Sequence, residues 1–215
     1  MWMKREAWRD RDFRSQPAVV FDLEASGLDP RRDRILSIGA VRIEDLAIPL
    51  GRQYDRVLRT PGPLGLASRL FHGLTRADLD RGTAPGDALE GLLDFAGDAV
   101  WLAFHAGFDR ALLVRALKAH LGRRWDGAVL DLAVLAPMLF PDRAGPHAGL
   151  DEWAAAFGLV APARHAAVVD AMLTAELALV ALRRAQRRGL RTWGELDAAA
   201  RDWRAGRMGT GGPVF

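Results

Sequence analysis

Residues 18–24 read Ala-Val-Val-Phe-Asp-Leu-Glu, an apolar run that ends in two acidic residues. Residues 18–22 are apolar and rich in β-branched side chains, which predicts a buried strand. Side chains two positions apart in a strand point to the same face, so Asp22 and Glu24 converge at its end. Two neighbouring carboxylates repel each other unless a cation neutralises them, and Mg²⁺ prefers carboxylate oxygens. The pair therefore indicates a metal site, with a solvated strand end as the alternative.

The flanking sequence continues an α/β pattern. Apolar runs predict further strands at residues 35–43, 52–58 and 100–104. Amphipathic or capped segments predict helices at residues 83–96, 108–121, 131–139, 150–157, 166–187 and 192–204. Proline and glycine exclude regular structure at 60–65, and residues 206–215 are expected to fray. The first three strands suggest an antiparallel meander, and the mixture of strands and helices predicts an α/β domain with a mixed sheet.

Composition limits the kinds of protein and of site. The chain has 215 residues, half of them hydrophobic, which is enough for one sizeable core and one domain. It has no cysteine, so disulfides, thiolate metal sites and a cysteine nucleophile are excluded, and any metal must bind oxygen or imidazole. No apolar run approaches the roughly 20 residues that span a bilayer, and residues 1–14 lack a secretory apolar stretch. We therefore expect a cytoplasmic protein without a membrane partner.

A second chemical signal is the stretch 105–109, His-Ala-Gly-Phe-Asp. It follows the predicted strand at 100–104 and opens a helix, which places Asp109 at a strand-to-helix junction. Functional groups of α/β sheets gather at such junctions. The alternative is an aspartate without a catalytic role that interacts favourably with the helix dipole in the first turn.

A third signal is the stretch 165–170, His-Ala-Ala-Val-Val-Asp. Asp170 lies in an apolar helical segment, where an unpartnered carboxylate is costly and a metal is a suitable partner. His165 is five residues earlier, so it is not on the same helical face and must lie on the loop or first turn before the helix. This position suits a mobile base, and the alternative is a histidine that only caps the helix.

The order Asp22-x-Glu24, Asp109 and His165-x₄-Asp170 resembles the DEDDh 3′→5′ exonucleases. This DnaQ-like family includes the epsilon subunit of bacterial DNA polymerase III, ribonuclease T and oligoribonuclease. The segments around these residues also resemble the family, namely residues 19–30, 35–41, 72–75 and 130–140. The sister class has a tyrosine four residues before the last aspartate. Here that residue is Ala166, so the sequence resembles the histidine class.

The resemblance implies a ribonuclease H-like fold, in which helices flank a mixed five-stranded sheet. It also implies hydrolysis with two Mg²⁺ or Mn²⁺ ions. Asp22, Glu24 and Asp170 would hold the metal that activates the attacking water. Asp22 and Asp109 would hold the second metal near the leaving 3′ oxygen. His165 would deprotonate the water, a role that suits a side chain whose ordinary pKa is near neutral.

The resemblance further implies contacts with the terminal nucleotide. Ser26, Gly27 and Leu28 would lie against it. Four other residues are near the expected site, namely Ala25, His72, Phe104 and Phe108. The alternative for these residues is a structural role in core packing or in a loop. Many relatives have threonine at the position of Ala25 and asparagine at that of Ala106, departures that bear on substrate choice or rate rather than on metal ligation.

We expect an N-terminal extension at 1–16, an exonuclease domain at 17–182 and a helical or flexible tail at 183–215. The expected substrate is a single-stranded DNA or RNA 3′ end, with nucleoside monophosphates as product. A repair or processing enzyme and a proofreading subunit with a polymerase partner both remain open, as does the oligomeric state. The alternatives are a non-catalytic or partner-dependent nucleic-acid-binding subunit and a hydrolase of free nucleotides.

The flanks carry a basic run and several tryptophans. The arginines could bind the phosphate backbone of a nucleic acid. The preferred interpretation is that their positive charge interacts favourably with the dipole at the carboxyl end of a helix. They are Arg183, Arg184, Arg187, Arg188 and Arg191. The tryptophans could stack on bases, but packing that pins the chain ends is the default. They are Trp2, Trp8, Trp193 and Trp203.

Overall fold

Five strands form one mixed sheet within residues 7–62, 73–145, 147–160 and 165–209, the part of the chain that this computed structural model describes. The strands are β1 (Ala18–Ala25), β2 (Ile35–Ile43), β3 (Gln53–Val57), β4 (Val100–Ala103) and β5 (Val129–Asp131). Their order is β3-β2-β1-β4-β5. The meander of β1, β2 and β3 is antiparallel, as predicted, whereas β4 and β5 are parallel to β1. Since β1 is central, its carboxyl end can be reached from elements on both sides.

The fifth strand was expected from the resemblance but was not located by pattern. β5 has only three residues, too few for a recognisable alternation. It pairs with β4 through Ala103 and Asp131, so the carboxyl ends of β4 and β5 lie side by side.

Seven helices are described, all but the first of which were predicted within a few residues. They are α1 (Arg76–Arg81), α2 (Pro85–Ala96), α3 (Ala106–Leu121), α4 (Leu132–Leu139), α5 (Leu150–Phe157), α6 (Ala167–Arg187) and α7 (Trp193–Gly209). The unpredicted α1 is short and polar, and it begins with a capping box between Thr75 and Asp78. Residues 206–215 were expected to fray. For residues 206–209 this expectation was wrong, because α7 continues to Gly209.

The helices cover both faces of the sheet because the strands alternate their side chains between two cores. Val19 and Phe21 of β1 pack with α2 and α3, whereas Val20 packs with α4, α5, α6 and α7. Among the described residues, no helix combines the length and the apolar character that crossing a membrane requires.

The described N-terminal residues and the start of α7 pack together. Phe13 meets Trp193 edge to face, with 5.0 Å between ring centroids, and both are buried. The indole Nε1–H of Trp193 donates to the Gln16 carbonyl at 3.3 Å. Asp12 and Thr192 form a backbone bridge. Trp193 therefore packs the described N-terminal residues against α7, in agreement with the packing interpretation of this tryptophan.

Candidate active site

The site forms where the carboxyl end of β1 meets the first turn of α6, and Gly39 makes that approach possible. Gly39 of β2 is paired with Asp22 of β1. A β-carbon at position 39 would lie 2.1 Å from the carbonyl carbon of Ala167 and from the nitrogen of Val168. Only glycine leaves room for this contact between helix and strand. The contact places Asp170, one turn into α6, beside the end of β1.

Asp22, Glu24 and Asp170 form a cluster that can hold a cation. Each offers one carboxylate oxygen, and the three oxygens lie within 4.8 Å of one another. Asp170 is buried, and the other two side chains are half-buried. Around an octahedral Mg²⁺ with bonds of about 2.1 Å, neighbouring oxygens are about 3.0 Å apart and opposite ones about 4.2 Å apart. Small side-chain rotations would bring these oxygens to that spacing, so the donor set fits a hard divalent cation.

Asp109 joins the same end of the sheet from α3, whose first turn contains it. Its side chain is 5% exposed. Burial is the main cause that raises its pKa from 3.8 to about 8, and repulsion by Glu24 adds to the rise. The Leu23 N–H donates to this carboxylate and opposes the shift. Since Leu23 lies between Asp22 and Glu24, this hydrogen bond ties Asp109 to the segment that carries both. A cation there would favour the ionised carboxylate that burial disfavours.

His165 lies directly before the α6 cap residue, on the loop that the sequence predicted. It is exposed, and its backbone N–H donates to Asp170 Oδ2 at 3.3 Å. Its φ of 65° is in the left-handed region, which costs a non-glycine residue on the order of 1–3 kcal/mol. The surrounding structure therefore imposes this conformation, and the backbone hydrogen bond links His165 to Asp170 of the acidic cluster.

Asp131 is a further acidic residue near the site, and it was not among the predicted site residues. Its Oδ1 accepts from the Ala133 N–H at 3.0 Å and so caps α4. Its Oδ2 accepts from Arg204 Nη2, also at 3.0 Å. Its negative charge contributes to the raised pKa of Asp109. An aspartate before an apolar helix signals a cap in the sequence, but nothing in the pattern relates it to Asp109.

The end of β1 and the loop after it carry four of the seven predicted nucleotide contacts. Asp33 organises the loop by accepting from the Ser26 hydroxyl and the Asp29 N–H, both at 2.8 Å. A β-carbon at Gly27 would lie 2.7 Å from Asp33 Oδ2, so a larger residue there would displace the Asp33 carboxylate from these hydrogen bonds. Leu28 is 93% exposed, and Ala25 is the last residue of β1. The loop thus presents an apolar side chain to solvent at the site end of the sheet.

The other predicted contacts differ in their placement. Phe104 is buried in the core, and Phe108 is half-buried on α3. His72 lies outside the described residues. In the basic run, Arg184 Nε and Arg188 Nη1 donate to the Leu139 and Met138 carbonyls at the end of α4. These contacts agree with a structural role for that part of the run.

Comparison with known proteins identifies the family of the chain. The exonuclease family model RNase_T matches residues 19–178. A DNA polymerase III subunit epsilon-like protein of Rhodobacter capsulatus is 35% identical over 179 residues, which are 82% of this chain and 25% of the relative. A PolC-type DNA polymerase III of Thermotoga petrophila is 30% identical over 170 residues, or 79% of this chain and 12% of the relative. The chain thus spans a quarter or less of the length of these curated relatives.

A solved structure shares the fold. Exonuclease I of E. coli in complex with a dA16 oligonucleotide superimposes with a TM-score of 0.69 at 15% identity, covering 85% of this chain and 42% of that one. The mixed five-stranded sheet with flanking helices is therefore the expected ribonuclease H-like fold. With its family match and its acidic residues at the end of the central strand, the chain belongs to the exonuclease family, in the DEDD group.

Proposed function

We propose that this protein is a 3′→5′ exonuclease that hydrolyses phosphodiester bonds with two divalent cations, Mg²⁺ or Mn²⁺. The observation that carries the proposal is the convergence of Asp22, Glu24 and Asp170, whose ligand oxygens lie within 4.8 Å. Carboxylates at this spacing repel one another without a cation, which is a poor arrangement for a purely structural site. Asp109, tied to the same strand through Leu23, supplies the fourth carboxylate.

In the proposed reaction each side chain has a separate task. Asp22, Glu24 and Asp170 would hold one cation, and Asp22 and Asp109 the other. When bound, the cations would supply Lewis-acid stabilisation of the charge that develops on the phosphate. His165 would take a proton from the attacking water. Its exposed position and its backbone hydrogen bond to Asp170 support a base held at the rim of the acidic cluster.

The proposed substrate is the 3′ end of a single strand, and nucleoside monophosphates are the product. The shared fold with an exonuclease I bound to dA16 supports a single-stranded substrate and favours DNA over RNA. Leu28 and the hydrogen-bonded loop around it would contact the terminal nucleotide, together with Ala25, Ser26 and Gly27. We assign the catalytic unit to residues 17–182. Similarity to an epsilon-like protein supports a polymerase partner and a cytoplasmic location.

A strand-shortening assay tests the proposal. A 5′-labelled 30-nucleotide strand, made as DNA and as RNA, is incubated with the protein and Mg²⁺ or Mn²⁺. A ladder that shortens stepwise from full length is expected, because removal from the 3′ end keeps the label on every intermediate. Immediate release of labelled mononucleotide would mean the opposite polarity, and an intact strand with folded protein would refute the nuclease assignment.

The matched variants are Asp22→Ala and Asp94→Ala. Asp22→Ala removes a carboxylate proposed to bind both cations, so the ladder should disappear. The metal-free chain should remain as stable as the wild type or become slightly more stable, because one like charge is removed. Asp94 is exposed on α2, outside the acidic cluster, and Asp94→Ala should leave activity unchanged. An active Asp22→Ala protein would contradict the two-cation assignment.

A further inference from the structure

Ser37 is a buried polar residue of β2, whose other buried residues are apolar or glycine. Its exposed fraction is 5%. Burial takes the hydroxyl away from water, which destabilises the fold unless a protein group replaces the lost hydrogen bonds. Alanine or valine would occupy a strand position without this cost. Serine at this position therefore indicates a role that needs the hydroxyl itself.

Strand pairing places Ser37 on the face of the sheet that carries the acidic cluster. In the antiparallel ladder of β1 and β2, Ser37 is paired with Glu24, and Gly39 is paired with Asp22. Directly paired residues share one face and have β-carbons about 4.5–5.5 Å apart. The close contact between Gly39 and Ala167 identifies this face as the one that α6 covers. Ser37 is therefore on the α6 side of the sheet, directly beside a carboxylate of the cluster.

The Ser37 hydroxyl is within reach of the Glu24 carboxylate. Glutamate has three side-chain torsions, so rotation can bring one of its oxygens to the hydroxyl at about 2.5–3.0 Å, the distance of an O–H···O hydrogen bond. The register shifts immediately after this pair, between Glu24 and Ala25. Shifts of this kind redirect side chains and are frequent beside active sites. Ser37 and Glu24 thus form the last regular pair of the ladder before the rim of the site.

Backbone donors already support two other carboxylates of the site. The Leu23 N–H donates to Asp109, and the His165 N–H donates to Asp170. A carboxylate that binds a cation through one oxygen can accept a hydrogen bond at the other, and this bond fixes its orientation. A cross-strand hydroxyl can do the same for the glutamate.

We propose that Ser37 is a positioning residue for the cation that Asp22, Glu24 and Asp170 would hold. Its hydroxyl donates to one oxygen of Glu24 and directs the other oxygen towards the cation. The inference rests on the proposed exonuclease function. The competing explanation is that Ser37, like Gly39, is needed only because a small residue lets α6 approach the sheet. Alanine is smaller than serine and lacks the hydroxyl, so Ser37→Ala separates the two roles.

The Mn²⁺ affinity of Ser37→Ala tests the proposal without turnover. In a titration followed by electron paramagnetic resonance, the signal of the free hydrated ion gives the unbound Mn²⁺ and hence the dissociation constant. Ser37→Ala should bind Mn²⁺ about 10- to 100-fold more weakly, as expected when a metal ligand loses the group that orients it. The Tm of the metal-free variant should equal or exceed that of the wild type, because a buried hydroxyl is removed.

Two further variants separate the hydroxyl from packing. Ser37→Thr keeps the hydroxyl and should retain most of the Mn²⁺ affinity of the wild type. Thr174 of α6 is also buried, and its hydroxyl has no hydrogen-bond partner within the described residues. Thr174→Val removes that buried hydroxyl with little change of shape, so Mn²⁺ affinity should stay unchanged.

The outcomes distinguish the inference from the function on which it rests. Unchanged Mn²⁺ affinity in Ser37→Ala would overturn the inference, even if the wild type produces a 3′-shortening ladder. A lower metal-free Tm with unchanged affinity would assign Ser37 to packing, and an equal loss of affinity in Thr174→Val would also overturn the inference. The expected loss of Mn²⁺ affinity, in a protein that makes no ladder, would establish the positioning role while refuting the proposed nuclease.

Discussion

Replacing Gly39 with alanine should break the site through geometry rather than chemistry. The added β-carbon would lie 2.1 Å from the Ala167 carbonyl carbon and the Val168 nitrogen, whereas ordinary van der Waals contact begins at 3.4 Å. Both contacts are backbone atoms and cannot rotate away. The start of α6 must therefore retreat by about 1 Å, and Asp170 moves with it.

The displacement is large compared with what metal ligation tolerates. Ligand distances must agree within about 0.2 Å, and misplacement by about 1 Å can cost about 10²-fold in rate. We therefore expect Gly39→Ala to lose about 10²-fold or more in the rate of strand shortening and to bind Mn²⁺ more weakly. Overpacking should also cost about 1–3 kcal/mol of unfolding free energy, which lowers Tm by several degrees.

The assay compares Gly39→Ala with Gly86→Ala at a temperature well below both melting transitions. Gly86 is in the first turn of α2, where a β-carbon would meet Leu121 at 3.6 Å, an ordinary contact. That variant should keep its activity and stability. If Gly39→Ala shortened the strand within threefold of the wild-type rate with unchanged Mn²⁺ affinity, the claim that Gly39 positions α6 would be refuted.

Three further predictions concern the titratable groups of the site. The pKa of Asp109 is raised from 3.8 to about 8, so the folded, metal-free protein holds a proton that the unfolded chain has lost, and stability falls as pH rises between these values. Asparagine cannot ionise, so Asp109→Asn should not lose stability in this way, and its Tm without metal should exceed that of the wild type by a margin that grows from pH 4 to pH 8. A margin that stays constant in paired thermal melts would contradict the raised pKa. Adding Mn²⁺ to the wild type near pH 7 should release a proton from Asp109, detectable as a buffer-dependent heat that disappears in Asp109→Asn. His165→Ala should slow single-turnover shortening by about 10²–10⁴-fold while Mn²⁺ affinity stays unchanged, and a rate within a few-fold of wild type would exclude His165 as the base.

The parts of the site that follow local rules could be predicted from the sequence. Strand alternation placed Asp22 and Glu24 on one face, and the apolar run after residue 166 placed Asp170 on a helix. The spacing to His165 placed that residue on the preceding loop, where the structure has it. Each of these predictions depends only on neighbours within a few positions along the chain.

The parts that depend on distant contacts could not be predicted. Gly39 was visible as a glycine inside a strand, but the sequence does not show that α6 approaches it. Asp109 was visible as a first-turn aspartate, whereas its burial and raised pKa arise from packing beside Leu23 and Glu24. The relation of Asp131 to the site arises in the same way, because β5 is too short to recognise and its neighbour in the sheet is set by topology.

The most direct test of the central claim is the number of Mn²⁺ ions that the four carboxylates bind together. Isothermal titration at pH 8, with a nucleoside 5′-monophosphate present to occupy the product position, should give two Mn²⁺ per chain for the wild type and for Asp94→Ala. Asp22→Ala should lose both sites, because Asp22 is proposed to contact both ions. Two sites of unchanged affinity in Asp22→Ala, or no Mn²⁺ binding by the folded wild type, would contradict the account.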